Sequence, residues 1–480
     1  MGIMRLRPVA YALSASIWLT GCGTTGDNTF MAAATQPAGE AKTSPLMMVG
    51  LTTAGDRNKD SYAALFPFYA EICALSEINK KPGFGAEFTS GFGGHSVLYL
   101  NGVCRVQDAG YPTIKLCDGD VAGQGVGLSV NDHYKNTNWV ATPGKDFLFY
   151  GSLAPTDTVT PAGYQRTQAK AMQMGILDGV EFHGRFFDKM PAGTSKRAYM
   201  YELSIATDYA VNFGRDRYCA RVPMNRGQMQ RMVSYLNQIN EPYRDRRKEF
   251  HWNVLGNNCS HMTHNALAAA GIWNEIDIDE PFFIAAFDFP VPKNEFVNLM
   301  QRTNDLDLDD PAALYRDEGL RQNLLLHDSL PLRAGALAEA APVMPNNTLY
   351  ETHPRLIFYD PIGRYQRAFE AILADPRYLD LHANLDYFAR LYQRVAAERK
   401  PVSWYLEKRK VASQDAADFR DFYQRYYDYI GRQSTALEAQ IAALNGTPAD
   451  NNRPLVVGAS SGTLPGIPTS DVAAPPAVTP

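Results

Sequence analysis

Two short segments of the chain carry side chains that could do covalent chemistry. Residues 93–102 read Gly-Gly-His-Ser-Val-Leu-Tyr-Leu-Asn-Gly and contain His95, and residues 256–262 read Gly-Asn-Asn-Cys-Ser-His-Met and contain Cys259. A thiolate is a strong nucleophile, and a neighbouring imidazole can accept the thiol proton. The two segments therefore predict a site that attacks an amide or ester carbonyl, provided that the fold brings them together.

Cys259 is predicted to be the first residue of a helix. Asn257 and Asn258 are suited to cap that helix at its N-terminus, and Gly271 is suited to end it after residue 270. The first turn of a helix has unpaired N–H groups and the positive end of the helix dipole, and both favour a thiolate over a thiol. We therefore predict Cys259 as the nucleophile.

A β-hairpin is predicted to supply the base and the group that orients it. An Asn-Gly pair lies near the centre of residues 96–106, and Asn-Gly favours the two-residue turn of a hairpin. In that register His95 lies opposite Asp108, on the same face of the sheet. We predict His95 as the base and Asp108 as its orienting carboxylate. Gln107 takes the second role if a bulge shifts the register by one residue.

The order of these motifs resembles the circularly permuted branch of the NlpC/P60 (papain-like) superfamily. That branch includes the lecithin:retinol acyltransferase-like proteins and the bacterial group DUF4105. The matching stretches are residues 94–100, a His followed by an apolar strand, and residues 258–261, similar to the Asn-Cys-x-His that opens the nucleophile helix in acyltransferase-like members. The resemblance covers roughly residues 90–275. It implies an α+β fold in which a papain-like core packs the cysteine helix on an antiparallel sheet.

This chain departs from that family pattern in two ways. The gap between His95 and Cys259 is long, and the acyltransferase-like members carry a second His where this chain has Asp108. The identity of the third catalytic residue therefore depends on the hairpin register alone.

A zinc site is the main competing prediction for the same helix. Cys259, His261 and His264 lie close together in the sequence. The first two are two residues apart, so they point to different sides of a helix, and the sequence offers no second ligand pair. We expect neither a metal nor another cofactor.

The charge balance argues against nucleic acid as a partner. The 480 residues contain 46 Lys and Arg and 51 Asp and Glu, a net charge of −5, and no long basic run. A protein that binds a phosphate backbone needs a basic surface to do so. No nucleic acid is therefore expected.

The first 22 residues are predicted to be a lipoprotein signal peptide. Arg5 and Arg7 precede a short apolar stretch that ends in Leu-Thr-Gly-Cys at residues 19–22. That ending resembles the lipobox of bacterial lipoproteins, in which the Cys becomes the acylated first residue of the mature chain. We therefore expect lipidation of Cys22 and a membrane anchor in the bacterial cell envelope. By resemblance to enterobacterial sorting rules, Gly23 in place of Asp favours the outer membrane, facing the periplasm, over the inner membrane.

Composition divides the rest of the chain into four parts. Residues 23–45 are rich in Gly, Thr, Ala and Pro and predict a flexible tether, and residues 447–480 predict a disordered Pro/Ala-rich tail. Residues 46–290 are expected to hold the papain-like domain. Residues 291–446 are expected to be helical and to form either a domain of their own or a buttress for the first domain. Further predictions from local patterns are strands at 147–150 and 199–204 and an amphipathic helix at 225–240.

The six cysteines divide by predicted role. Once Cys22 and Cys259 are assigned, four remain, and an oxidising envelope allows three pairings among them. These four are Cys73, Cys104, Cys117 and Cys219. A Cys104–Cys117 disulfide is the first choice because those two are close in the sequence.

Taken together, these features predict an envelope-anchored cysteine hydrolase or acyltransferase. The resemblance leaves two substrate classes open, which are the stem peptides of peptidoglycan and the acyl chains of lipids or lipoproteins. The alternative is a catalytically inactive envelope lipoprotein that binds a protein or cell-wall partner.

Overall fold

The computed structural model describes part of the chain in detail. The described residues are 59–82, 94–107, 109–119, 121, 123–254, 256–276, 290–352, 354, 356, 363–409 and 411–446. The predicted signal peptide with Cys22, the tether, Asp108 and the C-terminal tail lie outside these residues. Within them, no helix combines the length and the apolar character needed to cross a membrane.

The described residues build an α+β fold around an antiparallel sheet of six strands in the order β6-β5-β2-β1-β7-β8. Strands β3 and β4 form a separate two-stranded sheet. The bounds are Tyr69–Leu75 (β1), His95–Asn101 (β2), Val103–Arg105 (β3), Ile114–Leu116 (β4), Gly125–Ser129 (β5), Val140–Pro143 (β6), Arg217–Pro223 (β7) and Leu337–Ala341 (β8).

Helices cover both faces of the sheet. They are Lys59–Leu65 (α1), Lys145–Tyr150 (α2), Pro161–Gln173 (α3), Lys196–Ser204 (α4), Arg226–Arg244 (α5), Cys259–Ala269 (α6), Pro292–Asn304 (α7), Pro311–Arg316 (α8), Glu318–His327 (α9), Arg364–Ala374 (α10), Pro376–Leu379 (α11), Leu381–Ala397 (α12), Val402–Lys408 (α13) and Ala416–Leu444 (α14). Short 3₁₀ helices span Gly184–Phe187, Val211–Phe213 and Ser413–Asp415.

The two faces of the sheet belong to different hydrophobic clusters. The first face carries Ile72 and Leu98, which pack with residues of α5, α6 and α7 such as Met262. The second face carries Cys73 and Val97, which pack with α2 and with the C-terminal helices. Because successive side chains of a strand point to opposite faces, strands buried on both sides read as continuous apolar runs.

The C-terminal region completes the same sheet. Strand β8 pairs with β7, and α7 packs against β1 and β7. Aromatic side chains of α14 lie in the cluster that covers the second face. The helix-rich region predicted after residue 291 therefore contributes one strand to the sheet and helices that pack on both of its faces.

Three local predictions of secondary structure were wrong. The predicted strands at 147–150 and 199–204 are the helices α2 and α4. The predicted hairpin of β2 with β3 does not form, because β2 lies between β1 and β5 in the sheet and β3 pairs with β4. A short apolar run has no periodicity that separates a buried helix from a buried strand, and a turn sequence does not specify which strand the chain joins next.

Two helices follow the sequence patterns closely. The helix predicted at 225–240 is α5. Asn225 caps its N-terminus and forms a capping box with Gln228 in the first turn. The helix predicted at 259–270 is α6, and Gly271 follows it with φ +79°.

Two disulfides join cysteines among the described residues. Cys73–Cys219 joins the adjacent strands β1 and β7 on the second face, and Cys104–Cys117 joins β3 to the residue that follows β4. The second bond is the pair that the sequence analysis preferred.

Candidate functional site

Cys259 lies at the first residue of α6, as the capping pattern predicted. The side-chain oxygen of Asn258 accepts hydrogen bonds from the N–H groups of Ser260 at 2.8 Å and His261 at 3.2 Å. The Asn258 amide donates to the Val254 carbonyl at 2.6 Å, which ties the cap to the preceding loop. Cys259 is buried, with 7% of the residue exposed, and it is the free cysteine of the described residues.

His95 is the first residue of β2 and takes part in a buried chain of hydrogen bonds. Its Nε2 lies 2.9 Å from Ser129 Oγ on β5, and Ser129 Oγ lies 2.7 Å from Asp208 Oδ1. Asp208 precedes the 3₁₀ helix at Val211–Phe213, and all three side chains are buried. We refer to His95, Ser129 and Asp208 as the His95 relay.

Burial sets the protonation of the relay. It lowers the pKa of His95 to about 3, and the positive charge of Arg215 acts in the same direction. Burial also raises the pKa of Asp208, although hydrogen bonds from Ser129, Tyr134 and other neighbours oppose the rise. With Asp208 ionised, the Ser129 hydroxyl donates to the carboxylate and accepts from the Nε2–H of a neutral imidazole.

A glycine fixes the position where β2 begins. Gly94 has φ +75°, a conformation that favours glycine, and a Cβ at this position would lie 2.3 Å from the Leu75 carbonyl oxygen. Since Leu75 is also the β1 partner of His95, the backbone before the histidine packs directly on the end of β1.

The N-terminus of α6 lies at the end of the sheet that carries His95. The side-chain amide of Asn138 donates to the side-chain oxygen of Asn257 at 3.1 Å. Asn138 lies just before β6, whose first residue Val140 pairs with Ser129. The helix start and the His95 relay therefore share one end of the sheet.

The thiol and the imidazole nevertheless belong to different faces. Leu98 lies in the same hydrophobic cluster as Cys259, whereas Val97 lies in the other cluster. Side chains alternate along a strand, so His95 shares the Val97 face with Ser129, and Ser96 lies on the face that α6 covers. The sequence prediction that the imidazole lies beside the sulfur conflicts with this alternation.

The structure does not bring Asp108 or Gln107 to His95 through the predicted hairpin of β2 and β3. Asp108 lies outside the described residues, and the hairpin register that aligned it with His95 does not exist. Gln107 is exposed and follows β3, away from the six-stranded sheet. Ser129 and Asp208 hold His95 instead. The sequence contained no signal for them, because they lie 34 and 113 positions after His95 and meet it only through the β2–β5 pairing.

His264, which the competing zinc prediction included, has a hydrogen-bond partner at each ring nitrogen. His264 Nδ1 lies 2.6 Å from Glu295 Oε2, and its Nε2 lies 2.9 Å from the Asn274 carbonyl. Its ring stacks on Trp273 with centroids 4.1 Å apart. Because both ring nitrogens are engaged, His264 ties the middle of α6 to Glu295 of α7 rather than presenting a free ligand atom.

Comparisons with known proteins give no family for this chain. No protein-family model matches it, no curated protein is detectably similar to it, and no solved structure matches it. Function is therefore inferred from the site itself.

Proposed function

We propose that the protein is a bacterial envelope lipoprotein whose α+β core is a thiol-dependent hydrolase or acyltransferase. The observation that carries the proposal is a free thiol at the capped N-terminus of α6, at the end of the sheet where a hydrogen-bonded histidine begins β2. The other described cysteines form disulfides, so Cys259 differs from them in chemistry as well as in position.

In this proposal the sulfur of Cys259 attacks the carbonyl carbon of an amide or ester. His95 takes the thiol proton and passes it to the leaving amine or alcohol, which leaves an acyl-thioester on the enzyme. Water or an acceptor alcohol or amine then takes the acyl group and restores the thiol. The N–H groups of Ser260 and His261 are already bound to Asn258, so the oxyanion takes its hydrogen bond at the helix from the Cys259 N–H.

Two substrate classes fit a lipid anchor at Cys22 in the outer membrane facing the periplasm. A peptidoglycan stem peptide offers an amide, and a phospholipid or lipoprotein offers an acyl ester or amide. Both lie within reach of a domain that is tethered to the membrane surface.

A second candidate is a non-catalytic envelope protein that binds a protein or cell-wall partner. Two observations favour it. The alternation of β2 places His95 and the α6 helix on different faces of the sheet. Burial also lowers the pKa of His95 to about 3, whereas a base works best with a pKa near the working pH.

Alkylation and turnover separate the two candidates. The full chain in detergent is treated with iodoacetamide between pH 5 and 10, and the rate at Cys259 is followed by mass spectrometry. An enzyme is expected to be alkylated at Cys259 while the chain is folded, and to release products from peptidoglycan or phospholipid that Cys259→Ala does not release. A thiol that reacts only after unfolding, with no product from either substrate, would favour the binding protein.

A further inference from the structure

The His95 relay holds the imidazole on the second face of the sheet, away from the face that α6 covers. The Ser129 hydroxyl lies 2.9 Å from Nε2 of His95, and the Asp208 carboxylate lies 2.7 Å from that hydroxyl. Ser129 and Asp208 are both fully buried. Water therefore does not compete for these hydrogen bonds, and they keep the ring in one orientation.

Ser96, the next residue along β2, is in an unfavourable position. It points to the first face, where it is 1% exposed and shares that face of β2 with the apolar Leu98. Its hydroxyl makes no hydrogen bond to any of the described residues. A buried hydroxyl without a partner costs free energy, so this arrangement of the two residues is not the best one for Ser96.

The start of β2 is also attached to the sheet on one side only. His95 pairs with Leu75 of β1, and this is the last pair of that ladder. On the other side, the pairing with β5 begins at Val97 and Ser129. A local bulge at residues 95 and 96 would therefore break few ladder bonds, and a shift of one residue moves a side chain to the opposite face.

We infer that Ser129 and Asp208 form a latch, and that the thiol site becomes competent when the start of β2 exchanges the faces of His95 and Ser96. The inference rests on the proposed function, since it supplies the step that brings the base to Cys259. The exchange places the imidazole on the face that α6 covers. It also moves the Ser96 hydroxyl to the second face, where Ser129 and Asp208 can bond to it. Substrate or a partner that binds the exchanged form better would shift the population toward it.

The charge around the relay is consistent with a resting state. Arg215 lies close enough to lower the pKa of His95, and its guanidinium is held by the carbonyl oxygens of Ala206 and Ser76. An imidazole next to a fixed cation is a poor proton acceptor. Movement to the α6 face takes the ring away from Arg215 and toward a thiolate, which favours protonation of the ring.

The latch is tested by the alkylation rate of Cys259 at pH 7 in the full chain. Ser129→Ala and Asp208→Asn are expected to raise the rate about threefold to tenfold, the population change expected when one buried hydrogen bond is lost. Adding His95→Phe to Ser129→Ala should abolish the gain. Thr142→Val is the matched control, because Thr142 donates to the backbone oxygen of Asp208 and does not contact the ring. Its rate should equal that of the wild type.

A second variant tests the latch in case Ser129→Ala or Asp208→Asn fails to fold. The exchange His95→Ser with Ser96→His places the imidazole on the α6 face directly and leaves a hydroxyl facing Ser129. It is expected to react at least as fast as Ser129→Ala. If the exchange variant unfolds at the same temperature as the wild type but its Cys259 does not react, the latch is wrong.

Two further outcomes distinguish failure of the latch from failure of the proposed function. If the wild type turns over substrate and Ser129→Ala lowers the rate, Ser129 orients the base, so the latch is wrong and the proposed function stands. If no variant, including the exchange variant, raises the alkylation rate of Cys259 or releases product, both the latch and the proposed function are wrong.

Discussion

His95 on β2 and Ser129 on β5 are joined by a 2.9 Å hydrogen bond between Nε2 and Oγ across two adjacent strands. The bond places the imidazole on the face of the sheet opposite to α6. It also connects the ring to Asp208, a residue that lies between β6 and β7 in the chain. The position of the proposed base is therefore decided by strand pairing rather than by its neighbours in the sequence.

Removal of the α6 cap is expected to affect both stability and the thiol. Asn258→Ala leaves the N–H groups of Ser260 and His261 without their acceptor, so the free energy of unfolding should fall by about 1–2 kcal/mol. The rate of alkylation at Cys259 should change, because the loop and the first helical turn lose their alignment. Urea unfolding and the iodoacetamide rate at pH 7 measure the two effects.

A second capped helix provides the control for that variant. Asn225 caps α5 through a bond from the Gln228 N–H at 2.8 Å. Asn225→Ala should cost a similar free energy of unfolding and leave the alkylation rate of Cys259 unchanged. An alkylation rate that changes equally in both variants would show that the effect comes from global destabilisation.

The backbone before His95 is expected to tolerate glycine alone. Gly94→Ala combines a left-handed φ of +75° with a Cβ 2.3 Å from the Leu75 carbonyl oxygen. We expect a loss of about 3 kcal/mol or more in the free energy of unfolding, since strain and steric overlap add. Gly110→Ala is the matched variant, because it has φ +62° with no atom within 4 Å of the added Cβ. It should cost only about 1–2 kcal/mol. Equal losses in urea unfolding would contradict the close contact at Gly94.

The buried acid Asp132 is expected to make stability depend on pH. Burial raises its pKa to about 7, the charge of Asp208 adds to the rise, and Arg185 opposes it. The unfolded value is about 3.9, so the folded state binds the proton more tightly. Relative to Asp132→Asn, the wild type should therefore gain free energy of unfolding as the pH falls from about 7 to about 4.

The histidines of the same region act in the opposite direction. Burial lowers the pKa values of His95 and His133 to about 3, so their contribution is retained above pH 6.5 and is lost as the pH falls toward 3. The His95 contribution cancels in the difference between wild type and Asp132→Asn, whereas His133 Nε2 lies 3.7 Å from Asp132 Oδ1, so the difference reports Asp132 together with its contact to His133. A difference that stays constant between pH 8 and pH 4 in urea unfolding would contradict the raised pKa.

The two disulfides are expected to differ in their effect on stability. Cys73 and Cys219 lie 146 positions apart, and Cys104 and Cys117 lie 13 apart. A longer closed loop removes more entropy from the unfolded chain, which gives about 5 kcal/mol for the first bond and about 3 kcal/mol for the second. Double Ala variants at each pair, compared by urea unfolding, should show this order. The reverse order would mean that native contacts outweigh the entropy of the unfolded chain.

Local features of the site could be predicted from the sequence because each depends on neighbours within one turn. Asn258 before Cys259 and Gly271 after the helix define α6 through cap chemistry alone. The capping box of Asn225 and Gln228 likewise defines the start of α5. The Cys104–Cys117 bond was chosen because a short chain segment separates its two residues.

The tertiary structure decided which elements lie side by side. The Asn-Gly pair at the end of β2 does make a turn, with Gly102 at φ +83°, but the chain then leaves the sheet and β5 takes the place beside β2. A turn sequence specifies local backbone angles, whereas strand pairing depends on the packing of the whole core. The face on which His95 lies follows from that pairing, because an alternating strand gives opposite outcomes for registers that differ by one residue. The sequence by itself determined the residue types and the helix start at Cys259, and only the packed sheet determined that Ser129 and Asp208 hold His95.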